Sequence, residues 1–95
     1  MVEEHRKVAI HVTGRVQGVG FRHAAMNEAR RIGVAGWVRN QVDGSVRAEV
    51  AGTASQVEAF VRWCREGPAR ARVDDVQVRQ IENDSPLPDP FDVRR

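Results

Sequence analysis

Gly14-Arg15-Val16-Gln17-Gly18-Val19-Gly20-Phe21-Arg22 places three glycines in one short stretch and closes it with an arginine. Glycine lets a backbone turn sharply and come close to a ligand. Successive main-chain N–H groups at the start of a helix form a concavity suited to anions. Arg22 adds a permanent positive charge and a planar fork of donors. These residue types suit the binding of a phosphate, with Arg15, Val16, Gln17, Gly18, Val19 and Gly20 supplying backbone N–H groups beside Arg22. A cation in the first turn of a helix opposes the helix dipole, at a cost of about 0.3–1 kcal/mol; a bound anion would reverse that balance. The spacing matches neither the Walker loop nor the G-x-G-x-x-G fingerprint. Taken alone, the loop reads equally well as a phosphate cradle or as a glycine-rich connector.

The flanking segments predict what must hold this loop. Residues 8–12 alternate, with Val8, Ile10 and Val12 on one face, as in a strand. After the loop, Phe21, Ala25, Ala29 and Ile32 recur at helical spacing, and Gly33 ends the helix. A second strand is expected over residues 34–40 and a turn at Asp43-Gly44. A third strand over 45–51 directs Val46, Ala48 and Val50 inward before Gly52-Thr53 breaks it. Ser55 to Glu58 has the form of a capping box, with Thr53 to Gln56 as an overlapping candidate. Val57, Phe60, Val61 and Cys64 form the stripe of the second helix, which Gly67-Pro68 stops. Residues 73–81 read as a fourth strand, and Phe91-Asp92-Val93 as a candidate short edge strand in a proline-containing tail over 83–95.

The order β-α-β-β-α-β predicts an α+β, ferredoxin-like sandwich. Two helices would cover one face of a mainly antiparallel sheet, in a single domain with its core over about residues 6–82. Trp37, Arg39, Arg47 and Glu49 are expected on the other, open face. In this topology the first two strands run parallel with the third between them, so the loop after the first emerges beside the end of the second. Asn40 sits at that end and shares parity with Val38, which directs it to the helix-covered side. Arg22 and Asn40 would then flank one anion site. The competing reading of Asn40 is a local Asx bond before a turn.

The bulk properties narrow the classes. Ninety-five residues suffice for one small domain, and the net charge of +2 is small and scattered, which suits a small anion better than a nucleic acid. No apolar run approaches a membrane span, and the charged start Met1-Val2-Glu3-Glu4-His5-Arg6-Lys7 lacks a signal segment. Cys64 is the single cysteine, so no internal disulfide forms and a reducing, cytoplasmic setting is expected.

The residues 14–22 stretch resembles the first motif of the acylphosphatase family, G-x-V-Q-G-V-x-F-R, at every position. Gly36-Trp37-Val38-Arg39-Asn40, followed by Asp43-Gly44-Ser45-Val46 and Gly52, is similar to its second motif, and Gly67-Pro68 with Ala71 and Val73 also fits. The likeness spans roughly residues 8–81. It implies metal-free hydrolysis of acyl phosphates to a carboxylate and inorganic phosphate. It implies phosphate binding by the loop backbone and Arg22, and positioning of the attacking water by Asn40.

That chemistry needs little acid–base machinery. The carboxylate leaving group has a conjugate acid of pKa about 4, so it departs unprotonated. A substrate phosphate oxygen is expected to take the water's proton, since an asparagine amide is no base. His23 beside the loop, His11 on the open face and His5 in a flexible terminus show no metal-ligand spacing, and neither metal nor cofactor is expected. Cys64, Trp37 and Trp63 read as packing residues. The expected ligands are a small acyl phosphate and competing phosphate-like anions, bound by a monomer with no nucleic-acid or membrane partner. Two other classes remain. An RNA-binding sheet would carry aromatics on its central strands, whereas the third strand here, over 45–51, has none and places Glu49 in its middle. A non-hydrolytic acyl phosphate binder would be a module of a larger protein, whereas a stand-alone enzyme is expected here.

Overall fold

Burying Val8, Ile10 and Val12 requires an apolar cover, and the computed structural model, which describes residues 3–95, supplies it with two helices laid on one face of a sheet. The elements in order are β1 (His5–Arg15), α1 (Phe21–Ile32), β2 (Ala35–Asn40), β3 (Val46–Thr53), α2 (Ala54–Glu66), β4 (Arg72–Gln80) and β5 (Asp92–Arg94). The sheet order is β4-β1-β3-β2-β5. β3 pairs antiparallel with both β1 and β2, so β1 and β2 run parallel on either side of it, and β5 joins β2 in parallel. This is the expected ferredoxin-like architecture. Among the described residues no helix is long and apolar enough to cross a membrane.

The core forms where Val8, Ile10, Val12, Val38, Val46, Ala48 and Val50 meet Phe21, Ala25 and Ala29 of α1 and Val57, Phe60 and Cys64 of α2. Each fully buried Val or Phe contributes about 1.5–3 kcal/mol relative to exposure. Burial pushes the Cys64 thiol up to about 12, so it stays protonated and serves as a small apolar residue.

Four expectations are corrected. His5 is no loose terminus: it begins β1 opposite Thr53. β3 does not break at Gly52-Thr53, because Gly52 and Thr53 pair with Arg6 and His5. Of the two overlapping boxes, Thr53 and Gln56 form the cap: Gln56 N donates to Thr53 Oγ1 at 3.2 Å and Thr53 N donates to Gln56 Oε1 at 2.9 Å. Ser55 instead donates to Glu3. The core also extends past residue 82, because Phe91 is fully buried, 5.6 Å from the Phe60 ring. The tail reaches that place because Lys7 Nζ donates to Asn83 Oδ1 and Ser85 O, and Gly36 N donates to Pro88 O at 2.8 Å. Thr53→Ala is expected to lower unfolding free energy by about 1 kcal/mol, measured by denaturant titration; an unchanged midpoint would discount the cap.

Candidate active site

A bulge launches the loop. The β1–β4 register shifts between Thr13 and Gly14, and Gly14 has φ 126°. A Cβ there would lie 2.1 Å from Arg72 O, so only glycine lets β1 turn this closely over β4. Val16 is buried, Val19 packs against the core, and Phe21 meets Trp63 at 5.3 Å between ring centroids. These three apolar anchors pin the loop from beneath. Left-handed Gly18 (φ 73°) and Gly20 (φ 78°) flank Val19, and this alternation is the backbone pattern of anion-binding nests. A Cβ at either glycine would meet nothing within 4 Å, so the space above them is open.

The donors of this loop are free. Among the described residues the N–H groups of Gln17, Gly18, Val19 and Gly20 donate to no other protein group. Gly20 caps α1 without a side-chain bond, and the first turn holds no acidic residue. The orphan N–H groups of a helix start therefore face the same region as the loop, with the positive end of the helix dipole behind them.

Arg22 is half-buried, and its Nη1 donates to Arg94 O at 3.1 Å. Arg94 pairs with Arg39, the residue before Asn40, so this bond holds the guanidinium against the end of β2. One donor is spent on the anchor and four remain. On the other side, Gln17 Nε2 donates to Gln41 O at 2.7 Å and Ser45 O at 2.9 Å, tying the loop to the hairpin after Asn40. The structure thus brings the loop, Arg22 and Asn40 to one corner of the sheet. Arg15 ends β1 with an exposed side chain.

Asn40 does not make the local Asx bond. That role falls to Asp43, which accepts from Ser45 N at 2.9 Å and from Ser45 Oγ. The Ser45 hydroxyl and then its N–H hold the Asp43 carboxyl below its ordinary range. Asn40 Oδ1 is left buried with no hydrogen-bond partner among the described residues. Such an orphan costs about 1–3 kcal/mol and calls for an explanation, such as strain, a bound water or ion, or a ligand.

The three histidines do not converge: His5 starts β1 far from the loop, His11 lies between Arg47 and Gln77, and His23 is an exposed residue of α1. On the open face Trp37 is only 7% exposed, with the guanidiniums of Arg39 and Arg94 at 5.3 and 5.1 Å from its ring centroid. It is a packing residue rather than a bare stacking platform.

Two participants escape sequence reasoning. Gln17 enters there as backbone alone, although a donor-rich side chain inside a glycine loop is itself a signal. The Arg94 carbonyl has no sequence signal at all, since it depends on a three-residue parallel pairing.

The comparisons with known proteins agree with one another. The family model described as acylphosphatase matches residues 8–93. An acylphosphatase of Anaeromyxobacter sp. (strain Fw109-5) is 60% identical over 75 residues, covering 79% of this chain and 81% of that protein. The crystal structure of acylphosphatase from Bacillus subtilis superposes with a TM-score of 0.89 at 32% identity, covering 97% of this chain and 100% of that one. The T. kodakarensis HypF structure matches with a TM-score of 0.82 at 28% identity, but this chain spans only 12% of it.

Proposed function

This chain belongs to the acylphosphatase family, and on that premise we propose that its 14–22 loop holds the phosphoryl group of an acyl phosphate while Asn40 aligns the attacking water. The protein is a hydrolase that converts an acyl phosphate to a carboxylate and inorganic phosphate. The observation that carries the assignment of roles is a matched set of unsatisfied groups. Among the described residues the consecutive N–H donors of residues 17–20 lack internal acceptors, and the Asn40 Oδ1 acceptor at the end of β2 lacks an internal donor.

Phosphoryl transfer asks mainly for alignment and for stabilisation of charge on the equatorial oxygens. Backbone N–H groups of residues 15–20 and the free donors of Arg22 supply that charge stabilisation without reorganising. Water held by the Asn40 amide attacks phosphorus as the bond from phosphorus to the carboxyl oxygen breaks. The electron pair leaves on the carboxylate, and the water's proton passes to a phosphate oxygen. The carboxylate leaves unprotonated and the phosphate takes the water's proton, so the site needs no enzyme base.

Inorganic phosphate and similar anions compete for the same cradle. Every group invoked comes from one chain, and a monomer suffices. A cytoplasmic place of action rests on the single, buried, unpaired Cys64.

Turnover of acetyl phosphate in ¹⁸O-labelled water tests the attack. The label is expected in the inorganic phosphate and absent from the acetate. Label in the acetate would mean attack at the acyl carbon and would overturn the role of Asn40. Binding of acetyl phosphate without turnover would leave a non-hydrolytic binder.

A further inference from the structure

The Gln17 side chain does more than close a gap. Its Nε2 carries two N–H groups and spends both, on Gln41 O at 2.7 Å and Ser45 O at 2.9 Å. Those two carbonyls face each other across the mouth of the β2–β3 hairpin. Each already accepts one main-chain bond: Gly44 N donates to Gln41 O at 3.1 Å, and Gln41 N donates to Ser45 O at 2.8 Å. A carbonyl oxygen has two lone pairs, so the Gln17 amide takes up the remaining capacity of both. The fit is chemically narrow. Asparagine is one methylene shorter, and glutamate offers only acceptors to two acceptors. Methionine keeps the length and loses the donors.

This bridge is the only hydrogen-bonded link between residues 16–20 and residues 40–45 among the described residues. One end of it belongs to the phosphate loop. The other grips the peptide carbonyl of Gln41, next in the chain to Asn40. The strand ladder sets the same distance only indirectly, through Val12 opposite Val46 and then Asn40 opposite Val46. We infer that Gln17 is a positioning residue for hydrolysis: its side chain sets the separation between the phosphate cradle and the water held at Asn40. The inference rests on the hydrolase reading above. It differs from the backbone role of residue 17, because it concerns alignment of the nucleophile and not affinity for phosphate.

In-line displacement makes such a strut effective, since a shift of about 1 Å between nucleophile and electrophile costs on the order of 10²-fold in rate. The phosphate itself is gripped by backbone N–H groups and Arg22, which the bridge does not touch. Loosening the bridge therefore lowers kcat and leaves phosphate affinity near its starting value.

The test measures kcat for acetyl phosphate and the inhibition constant of inorganic phosphate in the intact protein, Gln17→Met and Gln17→Lys, below the melting point of each. Gln17→Met is expected to lose roughly 10- to 100-fold in kcat, with phosphate inhibition changed less than about threefold. Gln17→Lys restores donors at similar reach and is expected to recover part of kcat. Parallel losses of kcat and phosphate affinity in Gln17→Met would make the residue a plain support of the loop and overturn the inference. Unchanged kcat, or no recovery with Gln17→Lys, would overturn it as well. Absence of turnover in the intact protein would overturn the hydrolase reading, and this inference with it.

Discussion

Replacing Arg22 with alanine is expected to lower kcat/KM for acetyl phosphate by about 10³-fold, the scale on which charge-stabilising donors act in acyl and phosphoryl transfer. The loss comes from both binding and turnover, because the guanidinium supports the phosphate oxygens before and during transfer. Inhibition by inorganic phosphate should weaken in step. The fold should survive. The Arg22 head group is anchored by a single bond to Arg94 O, and a cation at the start of α1 opposes the helix dipole, so stability is expected to move by only a few tenths of a kcal/mol. Arg22→Lys keeps the charge and loses the planar fork, and should recover only part of the activity. The companion is Arg15→Ala, whose exposed side chain stands at the end of β1 and whose backbone N–H is untouched by the change. It is expected to cost less than about threefold by surface-charge screening. Equal losses from Arg15→Ala and Arg22→Ala would remove the division of labour between backbone and guanidinium.

Asn40→Ala is expected to separate activity from stability in opposite directions. kcat should fall by about 10²–10³-fold, the cost of losing one preorganised group at the reacting centre. The inhibition constant of inorganic phosphate should change little, since the cradle and Arg22 remain. Thermodynamic stability should rise by about 1 kcal/mol, because the substitution removes a buried acceptor that has no protein partner among the described residues. A gain in stability with a loss in rate is the signature of a group kept for function. The measurement is denaturant unfolding beside steady-state kinetics on the same preparation. A stability loss above about 1 kcal/mol would recast Asn40 as a structural residue at the end of β2. The pH profile of kcat in the parent protein should stay flat through neutrality, because no base of pKa near 7 is used; a sharp limb there would mean that an enzyme base takes part in the attack.

These two residues also mark how far the sequence could be read. The placement of Arg22 and Asn40 at one edge of the sheet is legible because topology constrains it: parallel β1 and β2 with β3 between must end at that edge, and strand parity fixes the face that Asn40 takes. Gly14 was legible as a turn-former. Its real demand, the passage of β1 so close to β4 that a Cβ would sit 2.1 Å from Arg72 O, depends on a bulge against a strand far along the chain. The capping choice was ambiguous for a local reason. Thr53-Gln56 and Ser55-Glu58 satisfy the same pattern, and only the extension of β3 to Thr53 decides where α2 begins.

By itself, the sequence determined the locally periodic features and the consequences of chain order: alternating valines for the strands, helical stripes for Phe21–Ile32 and Ala54–Glu66, glycines at the turns and the β-α-β-β-α-β order. Tertiary structure alone decided the contacts that join separate segments. Gln17 meets the Gln41 and Ser45 carbonyls, Arg22 finds the Arg94 carbonyl, Phe91 enters the core, and Asn40 Oδ1 is left without a partner among the described residues. The physical reason is that each depends on two segments being placed together. Periodicity reports which face of an element is buried, whereas a hydrogen bond to a main-chain carbonyl has no residue type to betray it and exists only once the two segments are placed.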